Sequence, residues 1–194
     1  MSLPTAIVLD IDETLCYTTD DPSIFQHQRP FDSLLLRSRI YILDLIDKTD
    51  RTRLWGIKRP HLNEFLSFCF KNFDYVIVWS AGIKDYVEKM INILFTLEGH
   101  INPHFVFSRD HCYDNKGDLI KPLVHLYEFQ KELKNVPLSN IVILDNKESN
   151  FTLNVENGLL IDDYMPKSVE EMLLDDKNLL YAKIHMSNRL KIML

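Results

Sequence analysis

Cysteine is scarce in this sequence. Its three cysteines, Cys16, Cys69 and Cys112, lie far apart, are odd in number and form no C-x-x-C pair. The sequence therefore indicates neither a disulfide framework nor a cysteine-ligated zinc site. A reducing compartment, the cytosol or the nucleus, fits this pattern best.

Long apolar runs and long basic runs are absent too. The longest apolar runs, such as residues 75–79, fall far short of the roughly 20 residues that a membrane-spanning helix needs. The N-terminus lacks the basic-then-apolar pattern of a secretion signal. The formal net charge is −6, which argues against a nucleic-acid-binding surface as the main function. We therefore expect a soluble, intracellular protein that contacts neither membrane nor nucleic acid.

The rest of the composition is that of a globular protein. Of 194 residues, 46% are hydrophobic and 26% are charged, which favours one domain over residues 1–194 with a sizeable core. The acidic balance poses a problem for any anionic ligand, because a local positive site has to overcome a repulsive field.

Alternating strands and helices are the main pattern along the chain. Short apolar runs predict buried strands at residues 5–9, 75–79, 104–107, 140–144 and 158–161. Helical patterns lie between them at residues 60–71, 84–97 and 122–134. Pro60 and Pro122 suit the first helical position. The alternation predicts an α/β fold, a Rossmann-like parallel sheet with helices on both faces.

One region departs from this alternation. After a polar stretch at residues 18–30, the runs at 39–46 and 53–58 predict a β-hairpin whose polar turn spans residues 47–52. We interpret this region as a small β insert at residues 17–58, and we expect no large cap domain. Residues 168–194 predict one or two helices with a break near Asp175 and Asp176.

Most of the predicted strands end in chemically functional residues. The residues at or just after these ends are Asp10 and Asp12, Ser80, Ser108 with Arg109, Asp145 with Asn146, and Asp162 with Asp163. Each has a structural explanation when taken singly: Asp12 or Ser80 as a helix N-cap, and Asp145 with Asn146 as a turn. Because ligands bind beyond the carboxyl ends of parallel strands, we expect these residues to converge on one crevice.

Four sequence motifs follow one another in a recognisable order. Asp10-Ile11-Asp12-Glu13-Thr14-Leu15 matches D-x-D-x-T-L, and Ser80, Lys121 and Asp145-Asn146 come after it. This order resembles the haloacid-dehalogenase (HAD) superfamily of phosphotransferases.

A narrower resemblance rests on further residues. Lys58-Arg59-Pro60 leads into Glu64-Phe65-Leu66, and Arg109 precedes Cys112. These features are similar to the small phosphatases that act on the C-terminal domain of RNA polymerase II, the NLI-interacting-factor-like family. The similarity covers residues 5–164.

The resemblance implies phosphomonoester hydrolysis with Asp10 as nucleophile. Attack by Asp10 on phosphorus would form an aspartyl-phosphate and divide one difficult displacement into two easier ones. Asp12 would protonate the leaving oxygen and later deprotonate the hydrolytic water, a role that a raised pKa favours.

The resemblance also implies a Mg²⁺ cofactor, because a cation has to lie between the anionic nucleophile and the phosphate. Asp10 and Asp145 would supply carboxylates, Asp12 its backbone carbonyl and Asn146 its amide oxygen. The residues expected to bind the phosphoryl group are Thr14, Ser80, Ala81 and Lys121.

Three basic residues each keep two interpretations. Arg109 either binds a second anionic group of the substrate or pairs with Asp110 or another surface carboxylate. Lys58 and Arg59 either contact the substrate or form structural ion pairs at the base of the hairpin.

The sequence departs from the family pattern at a few residues that bear on the choice of substrate. Lys147 and Glu148 follow Asn146 where relatives often have serine and proline, and Ser80 stands where many have threonine, which preserves the hydroxyl. We expect a Mg²⁺-dependent protein serine/threonine phosphatase acting on phosphorylated polypeptides such as the polymerase C-terminal domain. Two alternatives stay open: a phosphatase of small phosphate esters or nucleic-acid 3′-phosphates, and a non-catalytic scaffold of the same fold.

Overall fold

The computed structural model describes residues 3–27, 30–47 and 50–193. The strands are β1 (Ala6–Leu9), β2 (Cys16–Thr19), β3 (Ile40–Asp47), β4 (Asp50–Lys58), β5 (Tyr75–Trp79), β6 (Phe105–Phe107), β7 (Tyr113–Asn115), β8 (Asp118–Ile120), β9 (Ile141–Asp145) and β10 (Gly158–Leu160). The α-helices are α1 (Ser23–His27), α2 (Leu34–Arg37), α3 (Leu62–Asn72), α4 (Lys84–Ile91), α5 (Leu126–Phe129), α6 (Val169–Leu173) and α7 (Asn178–Met193). Short 3-10 segments lie at Pro30–Asp32, Arg109–His111, Leu123–His125, Lys131–Asn135, Leu138–Asn140 and Glu148–Asn157. None of the helices in these ranges is long and apolar enough to cross a membrane.

A parallel sheet in the strand order β10-β9-β1-β5-β6 forms the centre of the fold. The middle strand β1 pairs with β5 on one side and with β9 on the other, and its four side chains are fully buried. Continuous apolar runs are typical of strands that are covered on both faces. All five predicted strand runs lie in this sheet, so the predicted α/β fold is confirmed.

Two hydrophobic cores cover the two faces of the sheet. Ile7 and Leu9 pack into one core together with residues of α3, α4 and α7. Ala6 and Val8 pack into the other core, whose covering residues come from the segment 123–151. Because successive side chains of a strand point to opposite faces, burial on both sides fixes the register of β1.

Two predicted helices have different ends from those expected. The helix expected from Pro60 begins at Leu62, and its first bond runs from Phe65 N–H to the carbonyl of His61, which has a φ of 63°. The helix expected over residues 84–97 ends as α4 at Ile91 and continues as a π-helical turn, Asn92–Thr96.

The prediction of one helix over residues 122–134 is wrong. The segment forms 3-10 turns on either side of the four-residue helix α5, and Gln130 between them has an extended backbone. Leu123 and Leu126 are both fully buried, and a spacing of three residues places side chains one above the other in a 3-10 turn. The C-terminal helices α6 and α7 are separated at residues 174–177, in agreement with the expected break, and residue 194 lies outside the described residues.

The insert is a sheet of three strands in the order β2-β4-β3. β3 and β4 pair as an antiparallel hairpin as expected, and β2 adds a third strand beside β4. Residues 48 and 49 of the expected turn, and residues 28 and 29 of the polar stretch, lie outside the described residues. Within the described ranges, the insert forms no large cap domain over the sheet.

The strand order changes direction beside β1. From β1 the chain moves to β5 and β6 on one side, and it returns to β9 and β10 on the other. Open α/β sheets bind ligands at such a switch point, beyond the carboxyl ends of the strands. The carboxyl ends of β1 and β9 are therefore the expected position of the site.

Candidate active site

Two aspartates meet at the carboxyl ends of β1 and β9, with one lysine between them. The Asp10 N–H donates to the carbonyl of Leu144 at 3.1 Å, which continues the pairing of the two strands past β1. Lys121 Nζ lies 2.5 Å from Asp10 Oδ1 and 2.7 Å from Asp145 Oδ2. All three charged side chains are almost completely buried. The three sequence segments that carry them, predicted to converge, are in direct contact.

The segment after β9 completes the surroundings of this cluster. The Lys121 N–H donates to the carbonyl of Asn150 at 3.1 Å, which fixes the backbone at the lysine. Asn150 Nδ2 and the Lys147 N–H both donate to Asp145 Oδ1, at 2.8 and 2.9 Å. The carboxylate of Asp145 is thus held from both sides.

Burial governs the electrostatics of the cluster. It raises the pKa of Asp10 to about 7, against the opposing effect of the Lys121 ammonium. Burial alone would lower the pKa of Lys121, but the carboxylates of Asp10 and Asp145 outweigh it and hold that pKa above its ordinary value. With both carboxyls ionised, two negative charges face one positive charge. The resulting net charge of −1 favours a further cation.

Asp12 lies beside the cluster and faces the same cavity. Its Oδ1 accepts a hydrogen bond from the hydroxyl of Tyr86, and its Oδ2 lies 3.5 Å from Ser80 Oγ. Burial raises the pKa of Asp12, although Tyr86 and Lys121 oppose the shift. A carboxyl with a raised pKa is suited to donating a proton.

The hydroxyl of Thr14, which we expect to bind phosphate, bonds two other residues of the site. Its side chain is fully buried, and its hydroxyl lies 3.0 Å from Asp10 Oδ2 and accepts from the Asn146 N–H at 3.1 Å. Asn146 Nδ2 donates to Asp163 Oδ1 at 2.9 Å, so the amide oxygen of Asn146 faces Thr14. Thr14 therefore links the strand end at Asp10 to the one at Asn146.

Ser80, also expected to bind phosphate, lies behind the cavity. Its side chain is fully buried, and its hydroxyl accepts from the Gly82 N–H at 2.9 Å and lies near Asp12. It is not the N-cap of α4, because Ile83 holds that position. Ser80 therefore supports Asp12 and the loop to which Ala81 and Gly82 belong.

Ala81 and Arg109 line the cavity together. Arg109 Nε donates to the carbonyl of Ala81 and its backbone N–H donates to the carbonyl of Gly82, both at 2.8 Å. Among the described residues Arg109 makes no ion pair with Asp110 or another carboxylate. Its exposed guanidinium therefore remains at the cavity wall.

Lys58 and Arg59, considered as substrate-binding residues, do not line this cavity. Lys58 forms an ion pair with Glu98. The guanidinium of Arg59 is fully buried and uses all of its N–H groups on Asp176 and on the carbonyls of Glu13, Thr14 and Asp162. The structural interpretation of both residues is the one that the geometry supports.

The cavity over the cluster measures about 470 Å³ and is open to the surface. Part of its wall comes from residues that sequence reasoning did not select: Glu13, Lys147, Ser149 and Asn150, and Gly117 to Leu119 of the β7–β8 hairpin. The turn sequence Asn115-Lys116-Gly117, with positive φ at Lys116 and Gly117, was a usable signal for that hairpin.

In the described part of the chain, no group of three or more His, Cys, Asp and Glu side chains is placed to hold a metal ion. The expected magnesium ligands differ from such a cluster, because they include only two carboxylates together with an amide and a backbone carbonyl. Carboxylate, carbonyl and water oxygens are the ligands that Mg²⁺ prefers. The oxygens of Asp10, Asp145 and Asn146 fit that preference.

Comparison with known proteins assigns the chain to a family. Residues 5–191 match the family described as NLI interacting factor-like phosphatase. The chain belongs to the NLI interacting factor-like phosphatases. The family membership inferred from the sequence motifs is confirmed.

Curated relatives of this NLI interacting factor-like phosphatase are named as phosphatases. Phosphatase PSR1 of Saccharomyces cerevisiae is 28% identical over 169 residues, which make up 87% of this chain and 34% of PSR1. A CTD phosphatase-like protein, 355R of Invertebrate iridescent virus 3, is 26% identical over 183 residues, 89% of this chain and 94% of the viral protein. The chain spans from about a third to about half of the length of PSR1 and of two other similar relatives.

A solved structure supports the fold of this NLI interacting factor-like phosphatase. The fission yeast RNA polymerase II CTD phosphatase Fcp1 matches with a TM-score of 0.63 and 17% sequence identity. The match covers 96% of this chain and 52% of the solved one. At this identity the likeness establishes the architecture of the chain.

Proposed function

We propose that this chain is a Mg²⁺-dependent phosphomonoester hydrolase that forms an aspartyl-phosphate on Asp10 and acts on serine/threonine phosphopeptides. One observation carries the proposal: the Lys121 ammonium bonds both Asp10 and Asp145 at neighbouring strand ends, and Asp12 faces the same cavity. Membership in a phosphatase family supports it.

The first half of the reaction uses Asp10 and Asp12. A carboxylate oxygen of Asp10 forms a bond to phosphorus as the bond between phosphorus and the ester oxygen breaks. The electron pair of the broken bond stays on the ester oxygen, which takes the proton of Asp12. The products are the free alcohol and an aspartyl-phosphate.

The second half regenerates both residues. A water molecule attacks phosphorus and gives a proton to the carboxylate of Asp12. The bond between phosphorus and Asp10 breaks, inorganic phosphate leaves, and Asp10 returns to its carboxylate form. The raised pKa of Asp12 supports this double role, because the group has to hold a proton at the start of each cycle.

Asp10, Asp145, the amide oxygen of Asn146 and the backbone carbonyl of Asp12 would hold the magnesium ion. Bound there, Mg²⁺ would supply positive charge that offsets the repulsion between a carboxylate nucleophile and an anionic phosphate. The residual negative charge of the cluster with Lys121 supports binding of a cation at this position.

The phosphoryl oxygens would be bound by groups on two sides of the cavity. Lys121 Nζ is a compact positive charge next to Asp10. Ala81 lines the cavity, and its backbone N–H has no acceptor in the described part of the chain. A backbone N–H without a partner at a cavity wall is suited to binding an anion.

The open shape of the cavity favours a polypeptide substrate. The cavity opens to the surface, and the insert in the described ranges is a small sheet rather than a domain that closes over it. PSR1 is named a phosphatase, and Fcp1 is named a phosphatase of the RNA polymerase II C-terminal domain. We therefore propose phosphoserine peptides related to that domain as the substrate class.

Turnover assays test the proposal. Phosphoserine heptad-repeat peptides, p-nitrophenyl phosphate and a 3′-phosphorylated oligonucleotide would be compared with Mg²⁺ and with a chelator. We expect the peptides to be the best substrates and the chelator to abolish turnover. Asp10→Asn should reduce kcat by at least about 10³-fold, whereas the control Asp85→Asn, in an exposed pair with Lys89, should not change it. Turnover that persists in Asp10→Asn would exclude Asp10 as the nucleophile.

Beryllium fluoride provides a test that is independent of the substrate. The similar Fcp1 structure has beryllium fluoride bound, and a beryllium fluoride group on a carboxylate imitates an aspartyl-phosphate. With Mg²⁺ present, it should raise the Tm of the wild type and leave that of Asp10→Asn unchanged. A folded wild type with no turnover and no shift would favour the scaffold alternative.

A further inference from the structure

A chain of hydroxyl groups runs from Asp12 into the insert sheet. The Tyr86 hydroxyl bonds Asp12 Oδ1 and lies 2.8 Å from Thr18 Oγ1. Thr18 Oγ1 in turn lies 2.7 Å from the Tyr41 hydroxyl. The three hydroxyls come from three elements, α4, β2 and β3, so the chain connects the main fold to the insert.

The direction of this chain follows from its end at Asp12. A carboxylate can only accept hydrogen bonds, and each hydroxyl carries a single proton. Tyr86 therefore donates to Asp12, Thr18 donates to Tyr86, and Tyr41 donates to Thr18. The distances agree, because Tyr41 lies closer to Thr18 than to its other acceptor, the carbonyl of Tyr17 at 3.3 Å.

The tyrosines of the hydroxyl chain are buried inside the protein and do not lie on its surface. Tyr41 and Tyr86 are both more than nine-tenths buried, and buried hydroxyls need partners within the protein. Gly56 pairs with Tyr41 across β3 and β4, and a Cβ at Gly56 would lie 2.2 Å from the Tyr41 ring. Only a residue without a side chain leaves room for the ring at this place.

The two oxygens of Asp12 are consequently unequal. Both oxygens accept a hydrogen bond, but Oδ1 accepts a short one from the Tyr86 hydroxyl, whereas Oδ2 accepts a long one, 3.5 Å, from Ser80 Oγ. The oxygen that accepts the shorter hydrogen bond is the poorer place for a proton. Oδ2 is then the better place for the proton of Asp12.

We propose that Tyr86, Thr18 and Tyr41 are positioning residues, and that their hydroxyl chain reserves Asp12 Oδ2 for proton exchange with the leaving oxygen. The inference rests on the proposed function of Asp12. In the first half of the reaction, the phosphorus–oxygen bond breaks and leaves its electron pair on the leaving oxygen, which takes the proton from Oδ2, while the electron pair of that O–H bond stays on Asp12. The hydroxyls of the chain keep their own protons and hold the carboxyl plane throughout.

Leaving-group dependence distinguishes this role from a merely structural one. p-Nitrophenolate leaves with little protonation, whereas the alkoxide of serine needs a proton. Tyr86→Phe should reduce kcat/KM for a phosphoserine peptide by about tenfold or more, and for p-nitrophenyl phosphate by less than about threefold. The control Tyr127→Phe removes a hydroxyl that bonds the carbonyl of Val136 away from the site, and it should change neither value.

Thr18 gives a second, milder pair of variants. Thr18→Val removes the middle hydroxyl and should lower kcat/KM for the peptide by a smaller factor, about threefold, with the same preference for the aryl ester. Thr18→Ser keeps a hydroxyl and should restore the wild-type ratio of the two substrates.

The outcomes separate the two proposals. Equal losses on both substrates in Tyr86→Phe, or no loss, would overturn the hydroxyl-chain proposal while wild-type turnover leaves the proposed function intact. If Thr18→Val changes the ratio of kcat/KM for the two substrates and Thr18→Ser does not restore it, the hydroxyl-chain proposal is overturned as well. A folded wild type that hydrolyses neither ester would overturn the proposed function, and the hydroxyl-chain proposal with it.

Discussion

Arg59 binds the carboxylate of Asp176 at 3.0 Å, and its own side chain is fully buried. The remaining donors of the guanidinium bond the carbonyls of Glu13, Thr14 and Asp162. One side chain therefore joins the loop after Asp10, the segment after β10 and the link between α6 and α7. The geometry of the loop after Asp10 depends in this way on residues more than a hundred positions away in sequence.

Replacing Arg59 by leucine should be strongly destabilising. The change leaves the Asp176 carboxylate and three carbonyls without their donor, and removing one partner of a buried pair costs about 3–5 kcal/mol in the free energy of unfolding. Urea denaturation measures this loss. The matched control is Arg51→Leu, whose pair with Asp44 is exposed, and it should leave stability nearly unchanged. Equal stability of Arg59→Leu and the wild type would contradict the prediction.

Replacing Lys121 by methionine should abolish most of the activity while retaining cation binding. The variant loses the positive charge between Asp10 and Asp145, and we expect kcat to fall by at least about 10²-fold. The two carboxylates lose an internal partner, so Mg²⁺ should raise the Tm of the variant more than that of the wild type. The control Lys183→Met removes an exposed pair with Glu64 and should behave like the wild type. A Mg²⁺-induced rise in Tm that is smaller in Lys121→Met would argue against a metal site here.

Gly56→Ala tests the packing behind the hydroxyl chain. The new Cβ would meet the Tyr41 ring at 2.2 Å, and overpacking of this kind costs about 1–3 kcal/mol. We expect a lower Tm, together with a loss of peptide turnover that exceeds the loss on p-nitrophenyl phosphate. Gly99→Ala makes no contact within 4 Å but has a φ of 81°, so it controls for backbone strain alone. A Gly56→Ala protein with wild-type Tm and substrate ratio would show that the ring moves aside freely.

Stability should fall at acidic pH partly through Glu98. Its burial opposes ionisation, but the donors Lys58 and Asn63 outweigh burial and hold its pKa below the ordinary 4.5. A carboxyl with a lowered pKa stabilises the folded state above the unfolded-state pKa, and that contribution is lost as the pH falls through the folded-state value.

The measurement for Glu98 is a difference between two proteins. We expect the unfolding free energy of the wild type minus that of Glu98→Gln to be constant above about pH 6 and to shrink below about pH 4.5. Taking the difference removes the contribution of other groups that titrate in this range, such as Asp10. A difference that does not vary with pH would contradict a role for this ion pair.

The strands and the acidic strand ends were predictable, because each is encoded locally. Continuous apolar runs predict strands buried on both faces, and Asp10 and Asp145 follow such runs directly. Parallel pairing then brings the ends of β1 and β9 together. Lys121 follows β8 of a separate antiparallel hairpin, so its contact with both carboxylates does not follow from the topology of the parallel sheet.

Contacts between distant segments were not predictable. Nothing in the pattern around Arg59 distinguishes a buried clamp from a substrate-binding arginine, because its partners lie in segments up to 117 residues away. The bond from the Asn146 N–H to the Thr14 hydroxyl was not predictable for the same reason, since it spans 132 residues. Residues 122–134 looked helical because apolar residues three or four apart suit either a 3-10 turn or an α-helix.

The clamp formed by Arg59 reaches its three loop partners through backbone oxygens and not through their side chains. The side chains at positions 13 and 162 can therefore change while the bonds from Arg59 to the backbone are kept, provided that the residue at position 13 tolerates its left-handed φ of 58°. Since Glu13 lines the cavity, a substitution at position 13 can change the charge of the cavity wall while the backbone bond to Arg59 is kept.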